Sequence, residues 1–222
     1  MSNLLEREQY TIAEAAALLK VARNTLHYWL EGSKRDHKTY PPVIRQTPTG
    51  KNTVTWGEFV EAGFLCGYRR DLKVSLGELR NFITILQKRL GTPYPLATQQ
   101  PWVFGQKLVL EAQQQAGLPE ALWLYEPVGG QGVLPLQPTE AFLKRAVFEN
   151  DIVARWRPLP DKPVFIDPEL RFGKPSIKGI STQVLWEYSV DGYSTEEIAS
   201  DFALTITDVR SALDYESYAQ AA

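Results

Sequence analysis

Residues 10–30, with the sequence YTIAEAAALLKVARNTLHYWL, decide the fold of the N-terminal part of the chain. Apolar residues recur at helical spacing after Thr11; they are Ile12, Ala15, Ala16 and Leu19. Threonine is a common helix cap, so a first helix is expected to begin after Thr11. Residues 20–22 can form a tight turn, and a second helix is expected over residues 23–30. The stretch therefore predicts a helix-turn-helix unit.

The second helix has two different faces. Its apolar face consists of Leu26, Trp29 and Leu30. Its polar face consists of Arg23, Asn24 and His27. Donors clustered at the start of a second helix are what reading of the DNA major groove requires. An ordinary helical hairpin is the alternative, but the small residues Ala15 and Ala16 and the basic segment of Lys34, Arg35, His37 and Lys38 favour DNA binding.

A β-hairpin wing is expected after this unit. Residues 43–45 are a candidate strand, residues 48–50 a turn, and residues 51–55 the return strand. We expect contacts with DNA bases from Arg23, Asn24 and His27. We expect contacts with phosphates from Tyr28, Arg45 and Lys51.

Two further helices are expected, over residues 58–66 and 76–90. The longer one has a continuous apolar stripe of Leu79, Phe82, Ile83, Leu86 and Leu90. A single winged helix covers only a half-site of DNA, so this stripe is a candidate homodimer interface. Packing of the stripe on its own domain is the alternative.

The composition is that of a soluble globular protein. The 222 residues are 44% hydrophobic and 23% charged, so they can bury a sizeable core. No apolar run reaches the length of a membrane span, and the polar first residues are unlike a signal peptide. Cys66 is the one cysteine, which excludes a disulfide framework and a cysteine zinc site. These features predict a cytoplasmic protein.

The formal net charge of −2 conceals an asymmetry along the chain. The net charge is +5 over residues 1–90, −1 over residues 91–160 and −6 over residues 161–222. A basic first segment and an acidic last one indicate different partners at the two ends. For the acidic end, a merely solvated surface is the alternative.

The middle of the chain is richer in Gly, Pro and Gln. Short extended runs predict a small sheet there, with strands at residues 102–104, 107–110, 122–125, 132–136 and 152–156. An amphipathic helix is expected over residues 139–149. Trp102, Trp123 and Trp156 form either a core or the lining of a ligand pocket, and core packing is the commoner role.

The C-terminal part has a strand at residues 164–166 and a loop with several Gly and Pro residues at 167–179. Three helices are expected after it, over residues 182–190, 194–202 and 207–218. The last two again have helix-turn-helix spacing, but the exposed face of the last helix is largely acidic. Because phosphate neutralisation supplies most of the affinity for DNA, this unit is expected to contact protein instead.

Two resemblances to known families follow from these stretches. Residues 10–91 resemble the MerR-type winged helix: TLHYW at 25–29 looks like the start of its recognition helix, Gly50-Lys51 like its wing turn, and VSLGELR at 74–80 like a later helix. His27 and Ala22 depart from that family, which usually has an arginine and a serine cap there. Residues 164–218 resemble a small bacterial domain treated as a VapB-type antitoxin, through RFGKPSIKG at 171–179, GYSTEEIA at 192–199 and LTITDV at 204–209.

The second resemblance implies an antitoxin of a type II toxin–antitoxin pair, whose partner is a PIN-like, magnesium-dependent ribonuclease. Such antitoxins usually repress their own operon by binding operator DNA as dimers. The loop at 171–179 is the candidate for specific contact with the nuclease, because glycine and proline bracket it and its conformation is restrained before binding. The candidate contact residues are Arg171, Phe172, Lys174 and Lys178. A structural role beneath the three helices is the alternative for Arg171 and Lys174.

An enzyme is not expected. His27 and His37 are the only histidines, and the chain has no metal-ligand cluster, phosphate-binding glycine loop or nucleophile elbow. No catalytic residue, metal or cofactor is therefore predicted. A MerR-like regulator that senses a small molecule in the middle region is the alternative function.

The sequence as a whole predicts an α+β fold of three domains. A winged helix-turn-helix domain is expected over residues 1–91 and a central mixed or antiparallel β region over residues 92–160. An acidic three-helix domain, itself like a helix-turn-helix, is expected over residues 161–222.

Overall fold

Helices and small antiparallel sheets are mixed along the chain, so the fold is α+β as expected. The computed structural model describes residues 4–35, 38–72, 76–103, 106–120, 123–128 and 132–221. The chain divides into two compact units. The first unit consists of Met1–Leu143 and Phe148–Val153, and the second consists of Lys144–Val147 and Ala154–Ala222. Within the described ranges, no helix is long and apolar enough to cross a membrane.

The first unit begins with a short strand and two helices. Strand β1 (Glu8–Thr11) leads into α1 (Ile12–Leu19), and Thr11 forms a capping box with Glu14. Lys20 ends α1 in a left-handed conformation with φ of 56°. Helix α2 (Arg23–Glu31) follows after Ala22, which supplies no side-chain cap. The two predicted helices, their turn and the Thr11 cap are therefore confirmed.

The predicted wing strands are paired differently. Strand β4 (Thr53–Thr55) lies antiparallel to β1, with Thr53 opposite Thr11. The prediction that residues 51–55 return against residues 43–45 is wrong, because residues 43–45 form bends instead of a strand. The amides of Val43 and Ile44 both donate to the carbonyl of Trp29, at 2.8 and 3.0 Å. These bonds and the burial of both side chains hold the segment against α2.

A different hairpin follows α2 directly. It consists of β2 (Ser33–Arg35) and β3 (Lys38–Tyr40), with Ser33 opposite Tyr40. Gly32 joins it to α2 with φ of 69°, and a Cβ there would lie 2.3 Å from the carbonyl oxygen of Tyr40. Only glycine fits this close approach, so the chain can turn sharply out of the helix. His37, part of the predicted basic segment, lies outside the described residues.

Two long helices form the centre of the first unit: α3 (Trp56–Leu72) and α4 (Leu76–Leu90). The predicted apolar stripe of α4 is buried within the chain, since Leu79, Phe82, Ile83 and Leu86 are at most 1% exposed. The stripe therefore packs on its own unit, and the proposal that it forms a homodimer interface is corrected. Val74 and Ser75, which belong to the quoted MerR-like stretch, lie outside the described residues.

The middle region is more helical than predicted. Helices α5 (Gln100–Val103) and α6 (Gln106–Gln115) replace two predicted strands, at 102–104 and 107–110. Helix α6 buries Val109, Ala112 and Gln113, whose spacing is that of a helix. Strand β6 (Gly132–Pro135) confirms the strand predicted at 132–136. It pairs with β5 (Tyr125–Val128), which shares only Tyr125 with the strand predicted at 122–125. Helix α7 (Gln137–Leu143) is shorter than expected, because strand β7 (Ala146–Glu149) follows it.

The middle region shares its core with the N-terminal helices. The ring centroid of Trp102 lies 5.7 Å from that of Phe64 in α3 and 4.6 Å from that of Phe142 in α7. The amide of Leu96 donates to the carboxyl of Glu61 in α3 at 2.7 Å. This arrangement differs from the separate domain predicted over residues 92–160. It also gives Trp102, which is 2% exposed, the role of a core residue.

The second unit contains short strands. Strand β8 (Ile152–Trp156) passes into it from the first unit along the chain. Trp156 and Ile166 exchange two backbone hydrogen bonds of 2.9 and 2.8 Å. Strands β9 (Ser176–Ile177) and β10 (Ile180–Ser181) form a hairpin through a two-residue turn. The turn residues, Lys178 and Gly179, have φ of 48° and 81°.

Three helices complete the second unit: α8 (Thr182–Val190), α9 (Thr195–Asp201) and α10 (Ile206–Gln220). Capping boxes begin the last two, formed by Ser194 with Glu197 and by Thr205 with Asp208. Their common core consists of Ile177, Leu185, Ile198, Ala199, Val209 and Ala212. The three helices predicted for this part of the chain are confirmed, with ends that differ by one or two residues.

Candidate functional site

The polar face of α2 is open to solvent. Arg23, Asn24 and His27 are all exposed, on the side of the helix opposite the buried Leu26 and Trp29. Within the described part of the chain, none of the three polar side chains has a hydrogen-bond partner. Three side chains with donors therefore stand together at the start of one helix, where a ligand can reach them.

The hairpin that follows α2 in the sequence carries further positive charge. Lys34 and Lys38 are exposed, and the ring of Tyr40 is 41% exposed. The sequence had indicated a basic segment here but had placed the wing at residues 43–55. The structure instead has an antiparallel pair of strands at residues 33–35 and 38–40. Lys34 and Lys38 are thus additional candidate contact residues, which the sequence analysis places in a basic segment but not among the DNA contacts.

Arg45 lies in a buried ion-pair network. Its Nε donates to Glu58 Oε1 at 2.6 Å and its Nη2 to Glu58 Oε2 at 3.0 Å. Its Nη1 bonds to Glu31 and, at 2.6 Å, to the hydroxyl of Thr49, while Nη2 also reaches the carbonyl of Thr53 at 2.7 Å. The side chain of Arg45 is 7% exposed, and those of both glutamates are 8% exposed. The guanidinium therefore joins residues 45–53 to α2 and α3.

Electrostatics favour the charged forms of Arg45 and Glu31. Burial alone would lower the pKa of Arg45, but hydrogen bonding and charge from Glu58 and Glu31 raise it. Burial likewise opposes ionisation of Glu31, yet the amides of Gly50 and Thr49, the Thr49 hydroxyl and the charge of Arg45 together lower its pKa. The phosphate contact predicted for Arg45 does not fit this position, because its donors already face protein oxygens. The two glutamates were visible in the sequence, but nothing there showed that they meet Arg45.

The other two predicted phosphate contacts have different surroundings. Lys51 Nζ pairs with Glu8 Oε1 at 2.6 Å, and both side chains are well exposed, at 63% and 47%. Such a surface pair is weak, so Lys51 can exchange Glu8 for another anion. Tyr28 is half-buried, and its hydroxyl accepts a long hydrogen bond of 3.5 Å from Arg80 Nη2.

The loop at residues 170–179 in the second unit has an unusual backbone. Arg171, Phe172 and Gly173 are consecutively left-handed, with φ of 52°, 56° and 71°. Left-handed φ is uncommon for residues other than glycine and marks local strain, especially for a bulky side chain. The amide of Gly173 donates to the carbonyl of Leu170 at 2.9 Å, which closes the turn.

The four candidate contact residues of this loop divide into two pairs. Arg171 Nε donates to the carbonyl of Gly179 at 2.9 Å, and Lys178 Nζ pairs with Asp208 Oδ2 at 2.6 Å. Lys178 is the largest cause of the lowered pKa of Asp208. Phe172 and Lys174, by contrast, point to solvent, and the ring of Phe172 is 83% exposed. Arg171 and Lys178 thus shape the loop that presents Phe172 and Lys174.

The charge of this loop is opposite to that of its unit. Residues 170–179 hold three of the five Lys and Arg residues of 161–222, and they include no Asp or Glu. The remainder of 161–222 contains all eleven of its acidic residues, and those on α9 include the exposed Glu196, Glu197 and Asp201. Leu170, which is 49% exposed, adds apolar surface next to Phe172. The loop is therefore a basic and apolar protrusion on an acidic unit.

Comparison with known protein families gives a match in the second unit. Residues 164–215 match the model of a family described as a protein of unknown function, DUF433. This range contains the loop, the β9–β10 hairpin, α8, α9 and most of α10. The matched range contains the three stretches, at 171–179, 192–199 and 204–209, that carry the resemblance of this part of the chain to a small bacterial domain.

Relatives of the whole chain are found in Mycobacterium tuberculosis. One, an uncharacterized protein called Rv2308, is 29% identical over 97% of this chain and 92% of its own length. Another, named putative antitoxin VapB45, is 29% identical over 92% of each chain. The crystal structure of Rv2018 from the same organism has a TM-score of 0.75 and 25% identity, covering 95% of this chain and 100% of that one. The similarity thus extends over both units.

Proposed function

We propose that this chain is the antitoxin of a type II toxin–antitoxin pair that neutralises a PIN-like ribonuclease and represses its own operon. The observation that carries the proposal is the 29% identity to a putative antitoxin over 92% of both chains. An alignment of this extent includes the N-terminal helices as well as the C-terminal unit, so both activities are proposed together.

The DNA-binding half of the proposal rests on α2 and the hairpin after it. Arg23, Asn24 and His27 are the proposed base contacts, since they are exposed at the start of one helix. Lys34, Lys38 and Lys51 are the proposed phosphate contacts, joined by Tyr28. A net charge of +5 over residues 1–90 favours this polyanionic partner. A two-fold operator would require a homodimer, whose interface must lie outside the buried stripe of α4.

The toxin-binding half of the proposal rests on the second unit. Ribonucleases present basic surface along the path of the RNA, because RNA is a polyanion. A folded surface with a net charge of −6 over residues 161–222 is attracted to such a channel and can cover it. Covering the channel excludes the substrate, which is sufficient for neutralisation without any catalytic group on the antitoxin.

Co-expression tests the proposal directly. The full-length chain would be produced together with the product of each neighbouring gene in turn, and with a catalytically inactive form of any toxic nuclease found in this way as the control. We expect relief of growth arrest by this chain and co-purification with both forms of the nuclease. Persistent growth arrest with abundant soluble antitoxin would contradict the proposal.

The sensor function considered as an alternative receives less support. Trp102, one of its proposed pocket residues, is packed between Phe64 and Phe142 and is 2% exposed. A change in promoter affinity on addition of a small molecule would distinguish this function from the antitoxin.

A further inference from the structure

One face of the small sheet in the second unit carries a cluster of positive charge. The guanidinium carbons of Arg155 and Arg157 each lie 5.2 Å from the centre of the Phe165 ring. Together with Lys144, whose carbonyl lies 3.5 Å from Arg157 Nη1, these residues form what we call the basic sheet face. We propose that the basic sheet face binds the phosphate backbone of DNA. The inference rests on the proposed DNA binding by α2 and adds a second contact surface in the other unit.

The strands place both arginines and the ring on one side of the sheet. Trp156 and Ile166 are paired across neighbouring strands, and both are at most 3% exposed. Because side chains alternate along a strand, their sequence neighbours Arg155, Arg157 and Phe165 point to the opposite side. These three side chains are half-buried instead of buried. The polar parts of the arginines are therefore within reach of a ligand.

The helices of the unit cover the other side of the same sheet. Phe165 is paired with Ser176, so the next residue, Ile177, points away from the side that carries the Phe165 ring. Ile177 belongs to the core that α8, α9 and α10 form. The acidic helices and the basic sheet face are thus on opposite sides of the sheet. A polyanion that lies on the basic sheet face avoids the repulsion that the acidic helices would cause.

The sequence shows the same separation of charge. Residues 144–147 and 154–160 belong to the second unit, and they contain four Lys and Arg residues and no Asp or Glu. Residues 161–222 have a net charge of −6. Charges are screened only beyond about 10 Å at 0.1 M salt, so a cluster of cations acts on a nearby anion as a group. DNA is the polyanion that the proposed function already supplies.

The contacts within the basic sheet face prepare its cations for phosphate. The cation–π contact with Phe165 restrains the guanidinium of Arg157, which reduces the entropy lost when it binds. Arg145 donates to the carbonyls of Arg157 and Pro158, so it secures the end of β8. Within the described ranges, no acidic residue pairs with Arg157 or with the exposed Lys144. A guanidinium also matches the oxygens of a phosphate with two parallel hydrogen bonds.

Fluorescence anisotropy on the full-length chain tests the basic sheet face. The probes are a labelled duplex from the region upstream of its gene and an unrelated duplex of equal length. The variants are Arg157→Gln, Lys144→Gln and the control Arg210→Gln, which changes the net charge equally on the exposed surface of α10. We expect Arg157→Gln to raise Kd roughly tenfold for both duplexes and to lower the slope of log binding constant against log salt concentration by about one. Arg210→Gln should change Kd less than about twofold, because it lies on the helical side.

The second variant separates binding from folding. Arg157→Gln removes a contact with Phe165, so its Tm should fall slightly. The side chain of Lys144 is exposed, so the Tm of Lys144→Gln should equal that of the wild type. Lys144→Gln should nevertheless weaken binding to both duplexes and lower the salt slope. Unchanged binding by Lys144→Gln and by Arg157→Gln would overturn the proposal.

The outcomes distinguish the basic sheet face from the function on which it rests. If the wild type binds neither duplex at low salt, the proposed DNA binding and this inference both fail. If the wild type binds and the two variants match it in Kd and salt slope, the basic sheet face alone is overturned. If Arg157→Gln leaves DNA affinity unchanged but lowers the mass in sedimentation, the face contacts a second copy of the chain, which also overturns the proposal.

Discussion

Replacing Arg45 with alanine should destabilise the first unit by about 3–5 kcal/mol, because it breaks a buried ion pair on one side only. The guanidinium makes five hydrogen bonds, four of them to the side chains of Glu31, Glu58 and Thr49. Without it, two carboxylates that are 8% exposed remain buried without a cation to balance their charge, although backbone amides still donate to each. For a unit of this size, the loss corresponds to a decrease in Tm of about 10 °C.

Urea unfolding followed by tryptophan fluorescence measures this loss, with Arg23→Ala as the control. Arg23 is an exposed arginine of the same unit, so its replacement should change the free energy of unfolding by less than about 0.5 kcal/mol. The loss of stability caused by Arg45→Ala should also depend on pH. The folded pKa of Glu31 lies below its ordinary value of 4.5, so the network stabilises fully above pH 4.5 and is lost as the pH falls further. A loss below 1 kcal/mol for Arg45→Ala at pH 7 would refute this role and restore Arg45 as a DNA contact.

Three further predictions concern DNA, pH and the α4 stripe. Asn24→Ala should change the preference among promoter sequences. Lys38→Ala should instead weaken binding to all of them and lower the slope of log binding constant against log salt concentration by about one. Fluorescence anisotropy measures both effects, and an unchanged slope would show that Lys38 does not contact phosphates. Burial raises the pKa of Glu61 to about 8, so the folded state holds a proton that the unfolded state releases, and stability should fall as the pH rises from 4.5 to 8. Across that pH range, the Tm of Glu61→Gln should fall less with rising pH than the Tm of the wild type. Equal dependence of Tm on pH in the two proteins would contradict a buried, protonated carboxyl at Glu61. Phe82→Ala should cost about 3–5 kcal/mol in urea unfolding and leave the oligomeric state unchanged in sedimentation, because the ring is buried within one chain.

The features that the sequence predicted well depend on neighbouring residues. Thr11 lies three residues from Glu14, and Ser194 lies three residues from Glu197. The residues that cap each helix start are therefore within one helical turn of each other. The apolar spacing of the first helix likewise predicted the burial of Ile12 and Leu19. The exposure of the polar face of α2 follows from the same local periodicity.

The features that the sequence did not predict depend on distant residues. Strand β4 pairs with β1 more than forty positions earlier, and the residues at 43–45 gave an equally good strand pattern nearby. Arg45 meets Glu31 and Glu58, which are 14 and 13 residues away. A cation in a polar segment looks like a surface residue until its partners are located. The left-handed conformation of Phe172 had no signal in the sequence, because phenylalanine is not a residue that favours it.

Cleavage of RNA by the partner ribonuclease tests the central claim most directly. The full-length chain would be added in increasing amounts to the purified ribonuclease identified by co-expression, with a labelled single-stranded RNA as substrate and magnesium ions present. We expect cleavage to fall to background once the antitoxin saturates the nuclease. Undiminished cleavage at saturating concentrations of the folded chain would contradict the claim that this protein is an antitoxin.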